Sequence, residues 1–263
     1  MKALTAFASA AALALTVAAT AAPAHSAVFA QFTPDNRAMD FRWIKSGGSG
    51  STAGTGGHLF TVTPTTQNAT TAQGVATHFS FLDPALAALA FLPATFTLDA
   101  TITNALSHAA THSGPQWTET NLDGHFSFIY SGAAMTIGSV HLVHGENLLS
   151  GVFTDAFIQG AGGSGSINET SITGGTLTFT SAVEHFTNLI PGSEAYAFNL
   201  LAVSPAFGAS LHKALNSFRA NGGGNFSMLQ AAPEPATWGL MIVGFGGMGM
   251  VFRSRRRAAI ATV

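Results

Sequence analysis

Ten histidines are spread along the chain, and two pairs of them have spacings that could suit a metal site. His108 and His112 are four residues apart, whereas His141 and His144 are three apart. On a β-strand, positions four apart share a face and positions three apart do not. A zinc site needs three or four converging ligands, and neither pair has an identifiable third one. The chain also has no cysteine, which excludes thiolate ligands, cysteine nucleophiles and disulfides. We therefore expect no metal and no cofactor.

Nucleophilic catalysis has no recognisable motif in this sequence. Neither Ser49 nor Ser164 lies in a Gly-x-Ser-x-Gly turn. Glu184 and His185 are adjacent, so in a strand their side chains would point to opposite faces and form no ready dyad. Serine, histidine and aspartate are abundant, so composition neither supports nor excludes a catalytic triad. We predict no catalytic residue and a protein that is not an enzyme.

Glu119 and Asp123 flank a predicted loop near Trp117, and these residues are the basis of an alternative hypothesis. Paired carboxylates are typical of glycosidases, where their separation in space decides the chemistry. The Trp117 ring could stack on a sugar, although a tryptophan at the rim of the core is the simpler interpretation. The alternative is a secreted carbohydrate-binding or carbohydrate-active β-sandwich. It requires exposed aromatic rings beside two carboxylates on one sheet face.

Three further acids lie near Gly- or Asn-containing segments and could bind Ca²⁺ through their oxygens, namely Glu146, Asp155 and Glu169. No Asp-x-Asp-x-Asp-Gly pattern is present. Solvated acids in loops are the simpler interpretation, and we predict no calcium site.

The elements that position these residues are predicted to be β-strands. Apolar and polar residues alternate strictly along 95–103, as in a strand with one buried face. Shorter runs of the same kind occur at 78–81, 125–130, 176–180 and 195–200. Gly-rich segments at 47–50, 160–165 and 174–175 separate these runs and predict turns or loops. The one plausible helix has Asp83 as its N-cap, continues to Phe91 and ends near Pro93.

This pattern predicts a mainly β protein with one antiparallel, jelly-roll-like β-sandwich as its body. The body is expected to span 27–220, with a final strand or linker at 221–232. No repeat of 20–50 residues is present, which argues against a solenoid.

The balance of charge excludes one class of partner. Charged residues make up 8% of the chain, against about 25% in ordinary soluble domains. Between 27 and 232 there are five basic and 11 acidic residues, so this part has a net charge of −6. Between Ser46 and His212 there is no Lys or Arg. Such a body should not bind nucleic acid, because that binding depends on a dense basic surface.

The N-terminal segment has the features of a secretory signal peptide. Met1 and Lys2 precede an apolar, Ala-rich run that continues to about Ala22, and small residues follow as far as Ser26. This order predicts export by the Sec machinery and removal of 1–26 by signal peptidase. A retained membrane helix is the alternative, and the small residues at the end of the run argue against it.

An uncharged segment near the other end is long enough to cross a bilayer. The 17 residues from 236 to 252 include no charged side chain, which is at the short limit of the roughly 17–25 that a spanning helix needs. Trp238 stands where an interfacial aromatic anchor is expected. Four arginines follow at once and should stay in the cytoplasm as a stop-transfer signal: Arg253, Arg255, Arg256 and Arg257. We predict a transmembrane helix at 236–252.

Pro233, Glu234 and Pro235 stand just before this segment, and Trp238 follows three residues later. The tripeptide, the Gly-rich apolar segment and the arginine cluster together resemble the PEP-CTERM sorting signal of Gram-negative bacteria, and more narrowly its PEPxxWA variety. Gly239 stands where that variety usually has Ala. The resemblance covers 233–257 and implies that the tripeptide is a recognition motif for the membrane enzyme exosortase.

The resemblance also implies a route and a destination. Exosortase would remove the tail after the inner membrane has held the precursor, and the body would pass to the cell surface or extracellular matrix. Family members often accompany exopolysaccharide and biofilm genes, so we expect a structural or adhesive role with exopolysaccharide as a candidate partner. A permanently anchored envelope protein that keeps its tail is the remaining alternative.

Overall fold

The computed structural model describes residues 25–35, 39–46, 56–102, 109–170, 175–183, 191–210 and 212–230. Ser26–Leu229 forms one compact unit. The second unit, Met1–His25 and Gln230–Val263, lies outside the described residues except at its two bordering positions. Nearly all of the predicted signal peptide and the whole predicted transmembrane helix therefore fall outside them. Within the described ranges, no helix is long and apolar enough to cross a membrane.

The described residues form fifteen strands and one short 3₁₀ helix at Pro84–Leu86. In chain order the strands are β1 (His25–Pro34), β2 (Phe41–Lys45), β3 (Gly57–Thr61), β4 (Val75–Phe81), β5 (Leu92–Thr101), β6 (Thr111–Ser113), β7 (Gln116–Tyr130), β8 (Met135–Ile137), β9 (Val140–Leu142), β10 (Asn147–Ala161), β11 (Ser164–Thr170), β12 (Leu177–Thr180), β13 (Ala195–Ser204), β14 (Phe218–Asn221) and β15 (Gly224–Gln230).

The predicted helix from Asp83 to Phe91 is shorter than expected. The chain folds back onto β4 there, because the Phe81 N–H donates to the Leu89 carbonyl oxygen at 3.1 Å. Phe91 itself has a φ of 55°, outside the helical region. Pro84 therefore begins a single 3₁₀ turn, which ends at Leu86 before the chain returns to β5.

Thirteen of the strands form one sheet that closes on itself. Five strands, β5, β7, β10, β11 and β13, follow one another in the sheet. Two routes lead from β13 back to β5. One half of β13 pairs with β14, from which the sheet continues through β2 and β3, and the other half pairs with β15, from which it continues through β1 and β4. The register shows this division directly, since β5 pairs with β4 through Leu92–Phe96 and with β3 through Asp99–Thr101. Each route completes a ring of eight strands.

The prediction of a mainly β, antiparallel body is confirmed, because each described pairing with an assigned register is antiparallel. A jelly-roll requires neighbouring strands that are distant in the chain. In four places, two successive strands occupy one position in the ring, namely β1 and β2, β3 and β4, β11 and β12, and β14 and β15. Counted in this way, neighbouring positions of the ring follow one another in chain order. The two-sheet, jelly-roll-like sandwich is therefore not confirmed. Alternating residues fix which face of a strand is buried, but they do not say which strands pair.

Phenylalanine fills the interior of the sheet. Phe32, Phe96, Phe128, Phe198 and Phe226 come from five different strands and are each at most 3% exposed. The Phe96 and Phe128 rings stack with centroids 4.6 Å apart, and Phe32 lies 4.8 Å and 4.9 Å from these two. Such pairs contribute about 0.5–1.5 kcal/mol beyond the burial of their area. The centre of the closed sheet is therefore a packed core.

Serine and threonine hydroxyl groups line the outer face of the sheet, at positions where other proteins often have charged side chains. The side-chain oxygens of Thr154 and Thr176 lie 2.9 Å apart, and those of Ser150 and Thr180 lie 2.7 Å apart. Both contacts join β10 to residues at β12. These pairs fit the pattern of threonine and serine that alternates with the buried residues.

Phe226→Ala should lower the free energy of unfolding by about 3–5 kcal/mol, because it removes a ring from the centre of the core and leaves a cavity. Chemical denaturation of the full-length protein in detergent measures the change. Val152→Ala on β10 is the control, since that side chain is 63% exposed and its truncation should change stability by less than about 0.5 kcal/mol. Equal effects of the two substitutions would contradict the assignment of the core.

Candidate functional site

Two buried carboxyl groups are the most unusual polar features of the described residues. Glu119 on β7 is 1% exposed, and Asp40 just before β2 is 3% exposed. Neither Asp40 Oδ1 nor Glu119 Oε1 has a hydrogen-bond partner within the described ranges. Burial disfavours the charged form and raises the pKa of each group to about 7. Sequence reasoning selected Glu119 but not Asp40, because burial of a single acid leaves no sequence motif.

The structure does not bring Glu119 and Asp123 together. In the pairing of β7 with β10, Glu119 lies opposite Ile158 and Leu122 lies opposite Ala156, so β7 has one extra residue between them. This bulge contains Asn121, with a φ of 63°. Without it, positions 119 and 123 would share a face. With it, Glu119 points into the core, while Asp123 lies outside.

Asp123 instead supports the backbone of the neighbouring strand. Its Oδ1 accepts a hydrogen bond of 3.0 Å from the N–H of Asp155, where the chain has a φ of 62°. Asp155 lies in a second irregularity, where β10 has one extra residue opposite Asp123 between the Phe153–Gly124 and Ala156–Leu122 pairs.

Glu119 is an anchor for a segment that connects β13 to β14. We call this segment, described at 205–210 and 212–217, the strap. Glu119 Oε2 accepts a hydrogen bond of 2.8 Å from the Leu215 N–H, and the Leu215 carbonyl oxygen accepts one of 2.9 Å from Trp43 Nε1. The burial of Glu119 therefore has a structural explanation.

The two tryptophans of the described part belong to the core and its rim. Trp43 is fully buried. Trp117 is half-buried, packs against the core and lies 4.8 Å from the His112 ring. An exposed aromatic platform beside two carboxylates is therefore not formed at Trp117, Glu119 and Asp123.

The histidines do not converge on a metal site in the described part of the chain, where no group of three or more histidine, aspartate or glutamate residues could hold an ion. His141 Nδ1 lies 2.8 Å from Thr136 Oγ1 within the β8–β9 hairpin. His58 Nε2 lies 2.8 Å from Asp99 Oδ1 on the neighbouring strand. His108 lies outside the described residues.

The remaining candidates are scattered. Glu146 Oε2 accepts a hydrogen bond of 2.9 Å from the Val143 N–H in a turn, whereas Glu169 is buried on β11. Ser164 begins β11. Ser49, Glu184 and His185 lie outside the described residues.

The residues predicted to direct sorting also lie outside the described part, which ends with β15 at Gln230. They are Pro233, Glu234, Pro235 and Trp238 of the motif and Arg253, Arg255, Arg256 and Arg257 of the cluster.

The family model of the PEP-CTERM protein-sorting motif matches residues 231–257. The chain therefore carries a PEP-CTERM sorting motif, which confirms the resemblance noted for 233–257. A motif of this kind implies export and processing by an exosortase at the membrane. A comparison with curated proteins and with solved structures gives no match to this chain.

The raised pKa values of Asp40 and Glu119 predict an unusual dependence of stability on pH. Because their folded-state pKa is raised, the folded chain binds more protons than the unfolded chain between about pH 4 and 7. The free energy of unfolding should then fall as the pH rises through this range, by about 3 kcal/mol for each group. Chemical denaturation at a series of pH values measures the slope.

Asp40→Asn together with Glu119→Gln should flatten this slope while preserving the shapes of both side chains. Glu146→Gln is the matched control, because it makes the same Glu-to-Gln change at a partly exposed position in a turn outside the core. If the stability of the wild-type protein rises from pH 4 to pH 8, Asp40 and Glu119 do not determine how its free energy of unfolding depends on pH.

Proposed function

We propose that this chain is an exported protein of a Gram-negative bacterium that exosortase releases from the inner membrane. The observation that carries the proposal is the PEP-CTERM motif at 231–257. In this scheme exosortase recognises Pro233, Glu234 and Pro235. The apolar segment at 236–252 holds the precursor in the membrane, and the arginine cluster stops its transfer.

The start of the chain supports the same route. The Ala-rich run after Lys2 and the small residues before Ser26 are typical of a signal peptide. Sec-dependent export and signal-peptidase cleavage near Ser26 would give a mature body that begins at about Ala27. That body would then reach the cell surface or the extracellular matrix once the tail is removed.

We infer a structural role for the body and no enzymatic activity. The packed phenylalanine core supports this inference, since side chains occupy the centre of the sheet. So does Glu119, whose carboxyl oxygen accepts a hydrogen bond from the backbone of the same chain. Association with exopolysaccharide is an expectation that comes from the PEP-CTERM resemblance alone. The described geometry gives no separate support to a carbohydrate-cleaving role.

Replacement of Pro233, Glu234 and Pro235 by Ala should block processing, because the enzyme would lose its recognition motif. In the native host, the variant should accumulate as a full-length, membrane-bound precursor, whereas the parent protein appears as a shorter extracellular form. Immunoblots of membrane and extracellular fractions, with an antibody against the body, measure both species.

Thr237→Ala is the matched control, because this position belongs to the sorting segment but lies outside the tripeptide and should not affect processing. A host strain without exosortase should reproduce the effect of the triple substitution. Normal release of the triple variant, or normal release in the strain without exosortase, would contradict the proposal.

A further inference from the structure

The strap crosses one end of the closed sheet. On one side, the Phe207 N–H donates a hydrogen bond of 2.8 Å to the Gly162 carbonyl oxygen, in the turn between β10 and β11. On the other side, Leu215 binds Trp43 of β2 and Glu119 of β7. β2 and β7 are separated in the ring by β3 and β5. The strap therefore connects strands of the ring that are not hydrogen-bonded neighbours.

Apolar packing holds the strap at both of its ends. The Phe207 ring lies directly over Gly160 and Gly165, where any larger residue would collide with it. The same ring lies 5.0 Å from the Phe218 ring of β14. At the other end Leu215 is fully buried. These contacts place the strap over the end of the core as a lid.

Leu215 is fixed by both of its backbone polar groups. Its N–H donates to Glu119 Oε2 and its carbonyl oxygen accepts from Trp43 Nε1. Removal of either partner would leave a buried backbone group without a hydrogen bond. The free-energy cost would be well above the cost of losing a typical exposed hydrogen bond. Glu119 is the titratable member of this pair of contacts.

The surroundings of Glu119 are poor in charge. Lys45 of β2 attracts the carboxylate, but burial has the larger effect on its pKa. The other titratable groups on the elements around it are His112 of β6, Asp155 of β10, Arg42 of β2, and His212 and Lys213 of the strap. Glu119 Oε1 has no hydrogen-bond partner among the described residues. Ionised Glu119 thus has one backbone donor, the Leu215 N–H, and the attraction of Lys45 to replace the water it loses.

We propose that Glu119 is a pH-sensitive latch, which keeps the strap closed while it is protonated and favours a lifted strap once it is ionised. In the closed state the uncharged carboxyl group stays in the core and still accepts the Leu215 N–H. In the lifted state water reaches the carboxylate, and the apolar end of the closed sheet around Trp43, Gly160 and Gly165 becomes accessible.

The size of the effect follows from proton linkage. The pKa of Glu119 is about 7 in the closed state, against its ordinary value of 4.5. If the lifted state restores the ordinary value, the equilibrium constant for lifting rises roughly 30-fold between pH 5.5 and pH 8.5. The increase should level off above pH 8, where the carboxyl group is ionised in both states.

Hydrogen–deuterium exchange with mass spectrometry tests the latch on the full-length protein in detergent. Peptides that cover 205–217 should lose protection roughly 30-fold from pH 5.5 to pH 8.5, after correction for the intrinsic exchange rate. Peptides from β10 should stay more strongly protected than the strap at every pH, because they exchange only when the whole body unfolds. This difference separates lifting of the strap from global unfolding, whose free energy also falls as the pH rises. Equal protection of the strap and of β10 at every pH would overturn the proposal.

Three variants separate the latch from simpler explanations. Glu119→Gln should remove the pH dependence of the strap, because the amide still accepts the Leu215 N–H but does not titrate. Trp43→Phe should weaken strap protection at every pH and leave its pH dependence intact. Asp40→Asn removes a different buried carboxyl group and should leave the strap unchanged. A strap that responds to pH equally in wild type and Glu119→Gln would contradict the assignment.

Discussion

The hydrogen bonds between β1 and β15 join the first and last strands of the body, and the rest of the structure depends on this closure. A free sheet edge exposes unpaired N–H and carbonyl groups, and proteins usually protect such edges with lysine or proline. This chain has no Lys or Arg between Ser46 and His212. Closure into rings of eight strands satisfies the backbone of these strands without charged residues. It also encloses the phenylalanine core on all sides.

Closure requires that some strands pair with two different partners along their length. The chain between β14 and β15 shows how this is achieved. A side chain at Gly222 would collide with the Asn199 carbonyl oxygen, and one at Gly224 would collide with the rings of Phe32 and Phe198. The Asn199 N–H then donates to the Gly223 carbonyl oxygen at 2.7 Å. Glycine therefore allows the last strand to change course and still reach both β13 and β1.

Sequence reasoning predicted the features that depend on local pattern. The alternation in 95–103 corresponds closely to β5, and the tripeptide at 233–235 lies within the matched sorting motif. It did not predict the features that depend on distant pairing. The bulge at Asn121 turns Glu119 inward although the spacing to Asp123 suggests a shared face. The closure of β1 on β15 joins residues about 200 positions apart, which no local pattern indicates. The strap contact of Leu215 was missed for the same reason.

The proposed function requires that the described body is exported and that both ends of the chain are removed from it. The most direct test is the intact mass of the native protein, recovered from the membrane and extracellular fractions of its host. We expect an extracellular species that begins near Ala27, retains β15 through Gln230 and lacks the arginine cluster at 253–257. A species that ends at Val263 and occurs only in the inner membrane would rule out this processing and would indicate a permanent anchor.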